Sequence, residues 1–154
     1  MKKIAFWQQY GAYLAFAPAL TAMLGSLYYS EIAGFVPCTL CWYQRILMYP
    51  LSLIIVVGIL KQDEYLPNYA LPFSVIGIGV SGYHYLIQRG IFAHPAACSV
   101  GIPCSLSYVN YFGFVTIPFL ALVAFTMITV SMAVTEWAWT RRDVLVTETE
   151  EETI

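Results

Sequence analysis

The sequence predicts an all-α membrane protein, a bundle of four transmembrane helices, and three observations carry that expectation. Of its 154 residues, 60% are hydrophobic and only 10% charged, whereas a soluble domain carries roughly a quarter charged residues. Mean hydropathy is +0.70, so the chain lacks the polar side chains to cover a water-facing surface. Four apolar segments reach the length of about 20 residues that a helix needs to cross the hydrocarbon core. The net charge of −2, with no basic patch, gives no footing for nucleic-acid binding.

The first span is expected from about Phe6 to Tyr29, without a charged residue. Lys2 and Lys3 precede it as in a signal peptide, but the small-x-small site Ala15-Phe16-Ala17 is followed at once by Pro18 and the apolar run continues. A retained anchor fits better than a cleaved leader. The second span runs from about Trp42 to Leu60, interrupted only by Arg45. The polar turn KQDEYLPNY (61–69) leads to the third span, about Leu71 to Ile87. A longer loop over 88–110 precedes the fourth, about Tyr111 to Val134. Residues 1–142 thus read as one domain, and the acidic segment 143–154 as a disordered tail. Pro50 and Pro118 read as tolerated kinks within spans. The stretch GIGVSG (77–82) formally matches a dinucleotide fingerprint, but that needs a preceding strand and a βαβ unit. Gly77 and Ser81 mid-span suit helix packing instead.

Charge sets the orientation. Lys2, Lys3, Lys61, Arg141 and Arg142 fall on one side of a four-span chain, and only Arg45 and Arg89 lie toward the other. The positive-inside rule makes the first side cytoplasmic, with both termini. Cys38, Cys41, Cys98 and Cys104 then all lie exoplasmic, where disulfides form and persist.

The four cysteines allow several chemistries. Zinc would use four thiolates, but the second pair is C-x5-C (CSVGIPC, 98–104) rather than a second close knuckle. A c-type haem needs histidine directly after the CxxC, and Trp42 is there. No metal is expected. Two structural disulfides remain possible, although a CxxC bridge closes too short a loop to stabilise much. Redox chemistry is its usual use. In VPCTLCWYQRILMYP (36–50), Cys41 stands where the second helix begins, so exposed N–H groups favour its thiolate. Arg45, four residues on, shares its helical face and could polarise a planar acceptor, or simply anchor at the headgroups. Cys98 and Cys104 flank Gly101 and Pro103 in a polar loop, which suggests an accessible, labile pair. His84, near the exoplasmic end of span three, is a functional candidate because ionisable groups within spans are costly. His94 is assigned no role.

The CTLCWYQR opening of the second span, followed by a cysteine pair between spans three and four, resembles the disulfide-bond formation protein B family of membrane thiol:quinone oxidoreductases. The resemblance covers about residues 5–135, and the short spacer between Cys98 and Cys104 is similar to the compact Gram-positive type. It implies that a soluble thioredoxin-fold thiol oxidase (DsbA-like) attacks Cys98, and that Cys104 then passes electrons to the Cys38–Cys41 pair. It further implies that Cys41 contacts a quinone (ubiquinone or menaquinone) polarised by Arg45, with His84 nearby. The protein would sit in the bacterial cytoplasmic membrane and support disulfide formation in exported proteins. Gln44 stands where many members have glutamate, so a carboxylate proton role is not carried over. Two other readings are a vitamin K epoxide reductase-like enzyme, in which the loop cysteines precede the CxxC, and a non-enzymatic four-span protein with structural disulfides.

Overall fold

The computed structural model describes residues 2–93, 98, 102–110 and 112–151, of which 2–9, 143 and 145–151 are described by backbone only. Four helices carry the chain: α1 (Lys2–Leu27), α2 (Thr39–Lys61), α3 (Leu66–Gln88) and α4 (Ile117–Glu151). All four contain a segment long and apolar enough to cross a membrane. Each packs on its neighbours in chain order, and α4 closes the ring against α1. The fold is the expected all-α four-span bundle.

The interior is a column of Leu51, Ile55, Phe125, Ile128 and Met132, closed on the α1 side by Ala15 and Ala19. The outer faces are equally apolar: Ile46, Leu53, Leu60, Val75, Ile76, Met127 and Val130 are exposed. Helices hydrophobic on all sides are those of a bundle solvated by lipid. Gly77 and Ser81 are both buried on α3, and a Cβ at Gly77 would run into the Phe125 ring of α4. The small-residue spacing is thus used for close helix approach.

Several helix ends differ from the sequence expectation, each for a local reason. The α2–α3 turn is only 62–65: Gln62 takes a left-handed φ of 52° and donates to Gly58 and Ile59 carbonyls, ending α2. Pro67 falls in the first turn of α3, where its missing N–H costs nothing. Helix α4 starts at Ile117 rather than near Tyr111, because Phe112 (φ 55°) and Gly113 (φ 77°) are both left-handed. Pro118 is consequently a first-turn residue and not a kink. The backbone of α4 stays helical to Glu151, well into the acidic segment read as a disordered tail. Extension of an existing helix requires no new nucleus.

Candidate active site

Helix α2 begins one turn earlier than its apolar run suggests, and this changes the roles of its cysteines. Cys38 is the N-cap, in extended conformation, and its Sγ accepts from the Cys41 backbone N–H at 3.4 Å. Cys41 is a first-turn residue. Both are free, with their sulfurs sharing a hydrogen bond at 3.1 Å. The Cys38 thiol is pulled down to about 4, chiefly by that hydrogen bond to Cys41, against burial and with further help from His84. The sequence placed the helix-favoured thiolate at Cys41; the cap geometry gives it to Cys38.

His84 is almost fully buried, 1% exposed, beside this pair. Its Nε2 is 3.6 Å from Cys38 Sγ and 3.2 Å from the Cys104 carbonyl oxygen, and its Nδ1 is 3.2 Å from Gln44 Nε2. An amide N–H donated to Nδ1 fixes the proton on Nε2, which then faces the carbonyl and the sulfur. His84 thus joins the two cysteine pairs.

Cys98 and Cys104 form a disulfide. The expectation of an exposed bond is overturned: Cys98 is 4% and Cys104 0% exposed, packed with Cys38, Leu40 and Ile87. The loop folds back over the head of α2, and Gln88 holds it by donating to the Leu106 carbonyl at 3.2 Å.

On the other side of Cys41 lies an apolar cavity of about 670 Å³ between α1, α2 and α4. Cys41, Gln44 and Arg45 line it near the head of α2, with Met48 and Tyr49 further along the helix. Arg45 donates through Nη2 to the Ser26 carbonyl at 3.1 Å and lies over the Trp42 ring, 5.5 Å from its centre. Tyr49 donates to Ser26 Oγ at 3.4 Å. Tyr29, Phe35 and Tyr108, also in the lining, stack with centroid separations of 5.8 and 4.7 Å. The volume lies within the roughly 300–1,000 Å³ of small-molecule pockets, which are mostly apolar with a few placed polar groups. A flat lipophilic ring bearing carbonyls fits this donor set: one sulfur, one guanidinium and apolar walls. His84 is not among the lining residues.

Of the expected site residues, the four cysteines and His84 therefore meet in one cluster, and Cys41 with Arg45 faces the cavity. Sequence reasoning missed Ser26 and the Tyr29–Phe35–Tyr108 stack, which only tertiary packing assembles. Gln44 was noticed for its position but not for its contact with His84.

The family model for disulfide bond formation protein DsbB matches residues 8–140. The chain belongs to the DsbB family. It is 60% identical over 111 residues to the probable disulfide formation protein C of Halalkalibacterium halodurans, covering 71% of this chain and 81% of that one. It is 52% identical over 121 residues to the disulfide bond formation protein C of Bacillus subtilis, covering 78% and 88%. A probable disulfide formation protein of Oceanobacillus iheyensis is 50% identical over 133 residues, covering 83% and 90%. No solved structure matches the chain. Membership in the DsbB family, with four membrane-span helices, makes this a multi-pass membrane oxidoreductase that supports disulfide formation.

Proposed function

We propose that this protein is a thiol:quinone oxidoreductase that reoxidises a soluble, DsbA-like thiol oxidase at the exoplasmic face of the bacterial cytoplasmic membrane. The observation that carries the reading is the position of the Cys38–Cys41 pair. Cys38 is turned toward the buried loop disulfide, while Cys41 lines the apolar cavity.

A reduced partner attacks Cys98, forming a mixed disulfide and releasing Cys104 as a thiolate. A second partner thiol displaces Cys98, so the partner leaves oxidised and the loop pair is left reduced. Cys104 then attacks Cys38 of the oxidised CxxC, releasing Cys41, and Cys98 resolves that bond to restore the loop disulfide. The dithiol Cys38–Cys41 now holds two electrons and two protons. Cys41, Gln44 and Arg45 at the head of the cavity would hold a quinone, which would take up the two electrons and two protons as it is reduced to quinol. Cys41 is the sulfur that lines the cavity, and Arg45, fixed on the Ser26 carbonyl, would supply positive charge to an acceptor oxygen there. His84 Nε2–H stabilises negative charge on Cys38 when it leaves.

Energetics favours such an acceptor. A DsbA-type oxidase has a potential near −120 mV, and about 30 mV corresponds to ~1.4 kcal/mol for two electrons. An ordinary dithiol pool would have to work several kcal/mol uphill. The clustering of basic residues at 2–3, 61 and 141–142 supports cysteine loops outside the cell.

The test is anaerobic reduction of menaquinone or ubiquinone by the purified protein, given a reduced thioredoxin-fold oxidase. Turnover is expected, and Cys41→Ser should abolish it while the protein stays folded. Full turnover in that variant would sink the mechanism.

A further inference from the structure

The dithiol at the head of α2 has a third soft donor beside it. The sulfurs of Cys38 and Cys41 and a ring nitrogen of His84 all lie within 4.8 Å of one another. Zinc at about 2.3 Å from sulfur and about 2.0–2.1 Å from nitrogen sets a sulfur–nitrogen edge of about 3.6 Å at the tetrahedral angle. Cys38 Sγ and His84 Nε2 are 3.6 Å apart. The same geometry sets a sulfur–sulfur edge of about 3.8 Å. The two sulfurs stand at 3.1 Å, and Cys41, only half-buried on the cavity side, has room to open that gap.

One amide rotation would hold the histidine in the way a metal ligand is held. Metal-bound imidazoles donate their second ring N–H to a neighbouring acceptor. Gln44 lies 3.2 Å from Nδ1, and a half-turn of its amide presents oxygen there in place of nitrogen. Nε2 is then free to ligate, at the cost of its contact with the Cys104 carbonyl.

We propose that reduced Cys38 and Cys41, with His84, form a Cys2His site for zinc(II) that exists only while the pair is a dithiol. The cation binds two sulfurs and one nitrogen, any remaining thiol protons pass to solvent, and no electrons move. Water fills the fourth position. Oxidation to the Cys38–Cys41 disulfide removes two of the three ligands and expels the cation. Bound zinc engages both sulfurs and so holds the pair reduced, a reversible brake on electron flow. The brake rests on the redox role proposed above; the binding does not.

The experiment uses the full chain with Cys98→Ala and Cys104→Ala, so that only one cysteine pair titrates, reduced and handled without oxygen. Cobalt(II) is the probe. One equivalent should bind with sulfur-to-cobalt charge-transfer absorption, be displaced by zinc, and be lost when the same sample is oxidised to the disulfide. His84→Ala should weaken binding at least tenfold. Zinc should also protect both thiols from alkylation in the unsubstituted His84 protein, a readout independent of how that variant folds. Absence of the charge-transfer band, equal binding after oxidation, or unchanged affinity in a folded His84→Ala protein would each overturn the proposal. Cobalt binding in a protein that never reduces quinone, with or without zinc, would leave the site standing and remove the redox reading instead.

Discussion

The guanidinium of Arg45 is tied to the Ser26 carbonyl oxygen at 3.1 Å, which fastens the head of α2 to the end of α1 beside the cavity. An arginine that merely anchored the helix at headgroups would have no need of that bond. Arg45→Met is expected to raise the KM for quinone about tenfold, equivalent to ~1.4 kcal/mol, with little change in melting temperature. Arg45→Lys should recover only part of the loss, since an ammonium lacks the planar fork. Steady-state anaerobic kinetics check both, and an unchanged KM in Arg45→Met would remove the residue from the site.

A thioredoxin-fold partner that lacks its second active-site cysteine should accumulate as a covalent complex through Cys98 when it attacks the Cys98–Cys104 disulfide, because the thiol that displaces Cys98 is gone. Mass spectrometry of the tryptic adduct identifies the bonded cysteine. A linkage through Cys38 or Cys41 would mean that the order of transfer is different.

Gly77 sets how closely α3 approaches α4. Gly77→Ala drives a methyl into the Phe125 ring, and overpacking of this kind typically costs ~1–3 kcal/mol. Phe125→Leu in the same chain should return part of that loss. A double-mutant cycle on melting temperature in detergent measures the coupling, and strictly additive effects would show that the two residues do not share the space.

Asp63 caps the α2–α3 turn, accepting from Tyr69 Oη at 2.5 Å and from the Tyr65 backbone N–H at 2.9 Å. The Tyr69 hydrogen bond, then that of Tyr65, holds its carboxyl below the ordinary carboxylate value. A lowered folded value means the contribution is complete above the unfolded value, about 3.9, and fades as pH falls through the folded one. Asp63→Asn should therefore lower the melting temperature slightly at pH 7 and leave it nearly unchanged in strong acid. An equal shift at both pH values would point to a cause other than ionisation.

Four spans were legible because length and apolarity alone define a membrane helix, and the CxxC was legible because its spacing is local. Helix starts were less so. The second helix begins at Thr39 because Cys38 caps it, and sulfur is not among the usual capping side chains. The fourth begins late because Phe112 takes a left-handed φ that a bulky residue seldom adopts. Loop composition misled the reading of Cys98 and Cys104: glycine and proline between them signal a turn but not what the turn packs against. The contacts of Gln44 with His84 and of Ser26 with Arg45 span 40 and 19 residues. No periodicity encodes them.

The burial of the loop disulfide bears on how the protein discriminates among reductants. Small thiols that reached an exposed pair could each drain oxidising equivalents in a futile cycle. A bond with both sulfurs under the loop offers them no line of attack. The protein partner proposed above, by contrast, would bring the binding energy of its own surface to the task of uncovering Cys98. For the function proposed above, concealment of this kind would make recognition the gate to reactivity and insulate the acceptor from a short circuit.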